Sequence, residues 1–110
     1  MSDKITVEEF KKGEIRIGEI RTAIKVEGAD KLLRLDVFFG DETRQIISGI
    51  AAYFPDPATL VGKQCAFATN LEPRTIRGLV SDGMVLAAST EEGAFSLLET
   101  QGVPPGTKIK

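Results

Sequence analysis

Residues 14–26 read Glu14-Ile15-Arg16-Ile17-Gly18-Glu19-Ile20-Arg21-Thr22-Ala23-Ile24-Lys25-Val26. Ile15 and Ile17 keep the two-residue alternation of a strand with one covered face. Ile20, Ile24 and Val26 keep it on the opposite phase, and the change of phase brackets Gly18. A glycine where a strand changes phase points to a bulge or sharp bend, so one long strand is predicted to serve two sheet faces.

Upstream, Thr6 and Glu9 have the spacing of a capping box, which predicts one helical turn over residues 7–12 with Gly13 ending it through positive φ. Downstream, residues 28–31 read as a turn. Leu33, Leu35, Val37 and Phe39 then alternate with Arg34 and Asp36 as a half-buried strand. Residues 40–42 turn the chain into a third strand over 43–48, so strands two and three form a hairpin. Asp56 before Pro57 is a helix cap followed by a first-turn proline, and Gly62 fits the stop. Residues 64–70 read as strand four, 71–83 as a long loop, 84–89 as an apolar fifth strand and 94–98 as a sixth run. Val103-Pro104-Pro105-Gly106 is a rigid turn. Three strands, a short helix and two more strands, with the first strand bent, is the order of an all-β OB-fold barrel, a five-stranded Greek key. The same turn spacing also suits an unrelated small β-barrel or sandwich.

The chain has 110 residues, the size of one domain. The expected division is one domain over 1–110, with a barrel over about 13–89 and a C-terminal extension over 90–110. The sequence has no histidine and a single cysteine, Cys65. This removes histidine general bases, Ser-His-Asp and Cys-His systems, and any intrachain disulfide or multi-cysteine metal site. No catalytic carboxylate pair or metal-ligand spacing is found, so the chain is expected to be no enzyme and to need no cofactor. Asp41-Glu42 and Glu91-Glu92 fall on turns without the ligand spacing of a calcium loop. Gly78 and Gly83 are not followed by the Lys-Ser or Lys-Thr of a phosphate loop. The first dozen residues alternate charges and hold no signal-like apolar stretch, and the longest apolar run, residues 84–88, is far short of the ~20 that span a bilayer. A cytoplasmic protein with no membrane contact is expected.

Net charge is −2, so a basic surface has to be local. Within residues 61–90 Lys63, Arg74 and Arg77 outnumber Glu72 and Asp82. In such barrels the loop between strands four and five borders the binding face. There Arg74 and Arg77 are candidate phosphate contacts and Asn70 and Ser81 adaptable hydrogen-bonding groups, with Met84 just beyond. Spacing alone equally describes a solvated loop with two ordinary arginines. Phe38, on the outer face of strand two, suits either base stacking or cover by the chain termini. Phe39 and Phe67 read as core, Phe10 and Phe95 as packing residues, and Cys65, between Gln64 and Ala66 in a strand, as a buried inert thiol.

Six motifs in order carry a resemblance that spans Ile5 to Lys110. They are Glu14-Ile15-Arg16-Ile17-Gly18, Ala29-Asp30-Lys31-Leu32, Ser48-Gly49-Ile50, Val61-Gly62-Lys63, the run from Asn70 to Gly78 with Pro73, Arg74 and Arg77, and Ser81-Asp82-Gly83-Met84. With them the chain resembles the tRNA-binding domain family, found as a stand-alone protein, as the C-terminal part of bacterial methionyl-tRNA synthetase and in the endothelial monocyte-activating polypeptide. The resemblance implies recognition of tRNA by shape more than by sequence. It implies tRNA-binding roles for Lys31, Asn70, Arg74, Arg77, Ser81 and Met84, a homodimer built from the terminal segments, and a stand-alone role or one accessory to an aminoacyl-tRNA synthetase. Two departures stand out. Val26, Glu27 and Gly28 occupy positions where the family often has His-Pro-Asn, and Asp82 stands where it often has Gln. Both bring acid towards the site. The alternative reading is a dimeric polypeptide-binding chaperone of the secretion type, which a related branch of the family provides.

Overall fold

The bent strand is present. In the computed structural model, which describes residues 3–110, β1 spans Ile15–Val26 and changes partners along its length. From Ile15 to Glu19 it pairs antiparallel with β4 (Gln64–Ala68), and from Glu19 to Val26 with β2 (Ala29–Phe38). The bulge lies at Arg21, between the pairs of Ile20 and Thr22, and not at Gly18. After core-buried Ile20, that extra residue turns Ala23 towards the core and leaves Ile24 exposed. Gly18 answers a different need. A Cβ there would meet Val37 Cγ1 at 2.5 Å and Phe39 Cε1 at 2.7 Å, so the bare backbone lets β2 and the ring approach.

Leu33, Leu35, Val37 and Phe39 are all buried, as their alternation predicts, and β3 (Thr43–Ser48) completes the hairpin. The turn before β2 is the two residues Glu27 and Gly28, shorter than predicted, which moves Lys31 onto β2. The capping box forms in both directions at α1 (Val7–Lys11). Gly13 needs no positive φ there, because Lys12 caps the helix in an ordinary helical conformation. The predicted helix between β3 and β4 is two short 3-10 turns, Ala51–Tyr53 and Pro57–Leu60, the second capped by the Asp56 carboxylate on the Ala58 N–H. Four residues are too few for an α-helix to repay its nucleation, and the tighter turn serves.

The segment predicted as a long loop holds a hairpin, β5 (Arg74–Ile76) and β6 (Leu79–Ser81). The fifth predicted strand is broken at Leu86 into β7 (Met84–Val85) and β8 (Ala87–Ser89); β8 pairs with β9 (Phe95–Leu97), while β7 and β10 (Glu99–Thr100) pair with β4. The main sheet runs β10-β4-β1-β2-β3, with β7 also on β4, and it does not close. The five-stranded OB-fold barrel expected from the sequence is therefore corrected to an open all-β arrangement of one six-stranded sheet and two two-stranded ones. Closure fails at β3 for an identifiable reason. Its outer edge spends its groups on single bonds to the β5–β6 hairpin, partly through side chains, and no ladder forms there.

The C-terminal tail joins the sheet as an edge segment. The N–H groups of Gly106 and Ile109 donate to β1 carbonyls, and Ile17 N–H donates to Thr107. Gly40 and Gly106, both with positive φ, permit this docking, since a Cβ on Gly106 would collide with the Phe39 carbonyl oxygen. The core gathers Ile20, Leu35, Phe39, Ile46, Leu60 and Phe67, with Phe39 and Phe67 edge to face at 5.5 Å. Cys65 lies in the same core, and burial pushes its thiol up to about 11, as an inert thiol requires.

Candidate nucleic-acid interface

The β5–β6 hairpin turns through Arg77 and Gly78, with φ of 53° and 79°. Two left-handed residues between paired strands make the primed turn whose twist matches that of the flanking strands. Gly78 adopts this conformation freely. Arg77 is the one non-glycine residue with positive φ among the described residues, and it holds its guanidinium at an exposed tip. A side chain kept at some cost in a left-handed position is a recurrent feature of binding loops.

The hairpin is anchored to β3 by bonds that alternate between backbone and side chain. The Asp82 N–H donates to Gln45 O at 2.9 Å, Gln45 Nε2 donates to Val80 O at 2.8 Å, and the Ile47 N–H donates to Ser81 Oγ at 2.9 Å. Ser81 Oγ donates in turn to Gly83 O at 3.0 Å. Ser81 is buried, with its hydroxyl engaged inside the fold, so what it does in the structure is seat the hairpin. Asn70 is exposed at the hairpin's base, where Nδ2 donates to Lys12 O at 2.6 Å and leaves the amide oxygen and one N–H free. Met84, also exposed, pairs with Ala68 beside it. Arg74 stands opposite Ser81 in the hairpin register. Lys31 is exposed on β2, its carbonyl near Gly49 just past β3.

Charge separates these residues from the other arginines. Arg16 is tied to Glu14, Asp41 and Glu42, Arg21 to Glu19, and Arg44 to Glu42 and Asp82. Lys63 and Lys108 are paired with Glu99 and Glu14. Among the described residues Lys31, Arg74 and Arg77 form no ion pair; Arg34, which faces Ile47 across the β2–β3 ladder, forms none either, nor do Lys4, Lys11, Lys12, Lys25 and Lys110. Phe38, the candidate for base stacking, is half-buried under the Arg21 guanidinium, 4.3 Å from the ring centroid.

Behind the hairpin lies a polar cluster. Arg16 and Arg44 both sit against the Phe39 ring, at 5.0 and 5.6 Å from its centroid. Hydrogen bonds from Arg44 and then Arg16 hold the Glu42 carboxyl below its ordinary value, and the Thr69 hydroxyl does the same for Glu14 ahead of Lys108 and Arg16. Among the described residues no group of three or more metal-ligating side chains could hold a metal ion, and no helix is long and apolar enough to cross a membrane.

The fold is thus an open all-β frame that presents Arg74 and Arg77, without ion pairs, on an exposed hairpin. Residues 15–108 match the family described as "Putative tRNA binding domain", and the chain belongs to that family. Over 108 residues it is 44% identical to the methionine–tRNA ligase of Enterococcus faecalis, a match covering 96% of this chain and 16% of that enzyme. The chain thus spans only about 16% of the curated relatives' length. The crystal structure of a MetRS related protein from Pyrococcus horikoshii agrees with a TM-score of 0.92 at 36% identity, over 99% of this chain and 100% of that one. That of the chaperone CsaA from Bacillus anthracis str. Ames gives 0.86 at 28% identity, over 98% and 100%.

Proposed function

We propose that this domain binds tRNA without catalysis and recognises its shape more than its sequence. Lys31, Arg74 and Arg77 neutralise phosphates, Asn70 hydrogen-bonds sugar or backbone, Met84 gives apolar contact, and Ser81 holds the hairpin in place. The observation that carries this reading is the placement of Arg74 and Arg77, without ion pairs, on the exposed β5–β6 hairpin, while Arg16, Arg21 and Arg44 have their carboxylates. Mixed contacts of this kind suit structured RNA, which is read through shape, phosphate and 2′-hydroxyl groups. Kinship with part of the methionine–tRNA ligases supports a role accessory to an aminoacyl-tRNA synthetase, and a stand-alone role is the other form this reading takes. The same reading makes the protein a cytoplasmic homodimer joined through its terminal segments.

The test is fluorescence anisotropy of labelled tRNA over a series of salt concentrations. Arg77→Ala is expected to weaken binding and to flatten the slope of log K against log salt by roughly 0.7 to 0.9, the effect of neutralising one phosphate fewer. Arg21→Ala changes net charge equally but removes an arginine already held by Glu19 and Phe38, and is expected to leave the slope alone. Equal slopes for wild type and Arg77→Ala overturn the phosphate role.

The second reading, a polypeptide-binding chaperone, draws on the likeness to CsaA and on an apolar groove of about 240 Å³ between Ile15, Ile17, Leu86, Leu98 and Ile109. An unfolded polypeptide added as competitor separates the two, since displacement of tRNA at stoichiometric polypeptide favours the chaperone.

A further inference from the structure

Asp82, between two proposed contacts, is an acid that opposes an anionic ligand, yet its half-exposed carboxylate lies towards Arg44. Asp82 Oδ2 lies 3.7 Å from Arg44 Nε. The same guanidinium donates through Nη1 to Thr69 O at 2.8 Å and through Nη2 to Glu42 Oε2 at 3.0 Å. Thr69 and Asp82 are the residues at which the chain enters and leaves the hairpin segment. One half-buried side chain on β3 thus hydrogen-bonds one stem at Thr69 and stands in ion-pair range of the other at Asp82, and the planar fork of arginine allows three directions at once. Arg44 Nε is buried and makes no hydrogen bond, and the Asp82 carboxylate 3.7 Å away is its ion-pair partner.

We infer that Arg44 is a positioning residue for the tRNA site: it clamps both stems of the hairpin and draws the Asp82 charge away from Arg74 and Arg77. This rests on the tRNA-binding reading above, but the clamp has a readout of its own. Arg44 itself touches no ligand. It acts by holding Thr69, next to Asn70, and by compensating an acid that would otherwise stand among the phosphate contacts.

The experiment compares R44Q, D82N and the double variant with the wild-type protein. In tRNA anisotropy R44Q is expected to bind about tenfold more weakly, the loss typical of a charge-assisted bond. Adding D82N to R44Q is expected to regain severalfold, more than D82N gains in the wild-type background, which a purely structural role for Arg44 would not produce. Equal gains in both backgrounds, or R44Q binding within twofold of wild type, overturn the inference. Hydrogen exchange reads the clamp without RNA. The Asp82 amide, bonded to Gln45 O, is expected to exchange faster in R44Q while the amides of the β1–β2 ladder keep their rates. Unchanged exchange at Asp82 overturns the clamp even if tRNA binds, and failure of the wild type to bind tRNA removes the functional reading while leaving exchange to decide. Should R44Q fail to fold, R44K keeps the charge beside Asp82 but not the fork to Thr69 O. Intermediate binding and exchange are expected from it, and wild-type values in both overturn the proposal.

Discussion

Glu42 accepts hydrogen bonds from Arg16 at 3.1 Å and Arg44 at 3.0 Å, and Glu14 accepts one from the Thr69 hydroxyl at 2.9 Å. These single side chains decide how the fold responds to acid. Both carboxyls are held below the ordinary value of 4.5, so protons bind them more readily in the unfolded chain. Their contribution to stability is complete above that value and is lost as the pH falls through the folded one. Stability is therefore expected to fall from about pH 4.5 downward. Both groups are partly exposed, so the contribution is modest and screened by salt. Urea unfolding of wild type and Glu42→Gln across the acid range checks this. The variant starts less stable at neutral pH and loses less on acidification, and parallel losses would remove Glu42 from the account.

At the level of elements, the hairpin tip sets folding against binding. Two-residue primed turns favour Asn-Gly, and here the pair is Arg77-Gly78. Arg77→Asn is expected to raise stability by about 0.5 kcal/mol, since asparagine tolerates the left-handed region better, and to weaken tRNA binding at the same time. Thermal or urea unfolding together with anisotropy tests the pair of effects; a variant that binds as well as wild type would free the tip of a role. The hairpin also marks where sequence reading ran out. Strong alternation made β2 legible, the turn at residues 40–42 made β3 so, and the capping box did the same for α1. β5 and β6 have three residues each and bury only Ser81, so burial imposes no alternation on them. Their signal was the turn, a residue before glycine flanked by β-branched and apolar residues. Gly18 was legible as special but not as to why, because a bulge and a close approach leave the same mark in one chain. Barrel closure was inferred from strand order, which cannot distinguish a ladder at β3 from side-chain bonds made by Gln45 and Ser81. At the site, the cations were legible as residues, but their freedom from ion pairs depended on long-range partners such as Arg44 with Asp82.

Across the whole molecule the apolar surface is unevenly placed. Ile5, Val7 and Phe10 are each 62% exposed, and α1 has no buried residue although its caps are complete. A five-residue helix has little intrinsic stability, so an apolar side left open to water suggests cover by another surface. Leu98 and Ile109, about half exposed, line the groove on Ile15 and Ile17 near the other terminus. A second copy of the chain is the occupant we propose for both, and two-fold symmetry would double the unpaired cations of a protein whose net charge is −2. Removing the C-terminal segment is a poor test, because Leu97 is in the core and Glu99 and Thr100 pair with β4. Substitutions at exposed positions are cleaner. Wild type is expected to sediment as a dimer at micromolar concentration, and Phe10→Ser with Leu98→Ser as a folded monomer. The monomer should keep the hairpin and bind tRNA more weakly, since each molecule then offers one cationic patch in place of two. A wild-type protein that sediments as a monomer would overturn the assembly, and a dimer unaffected by both substitutions would move its interface elsewhere.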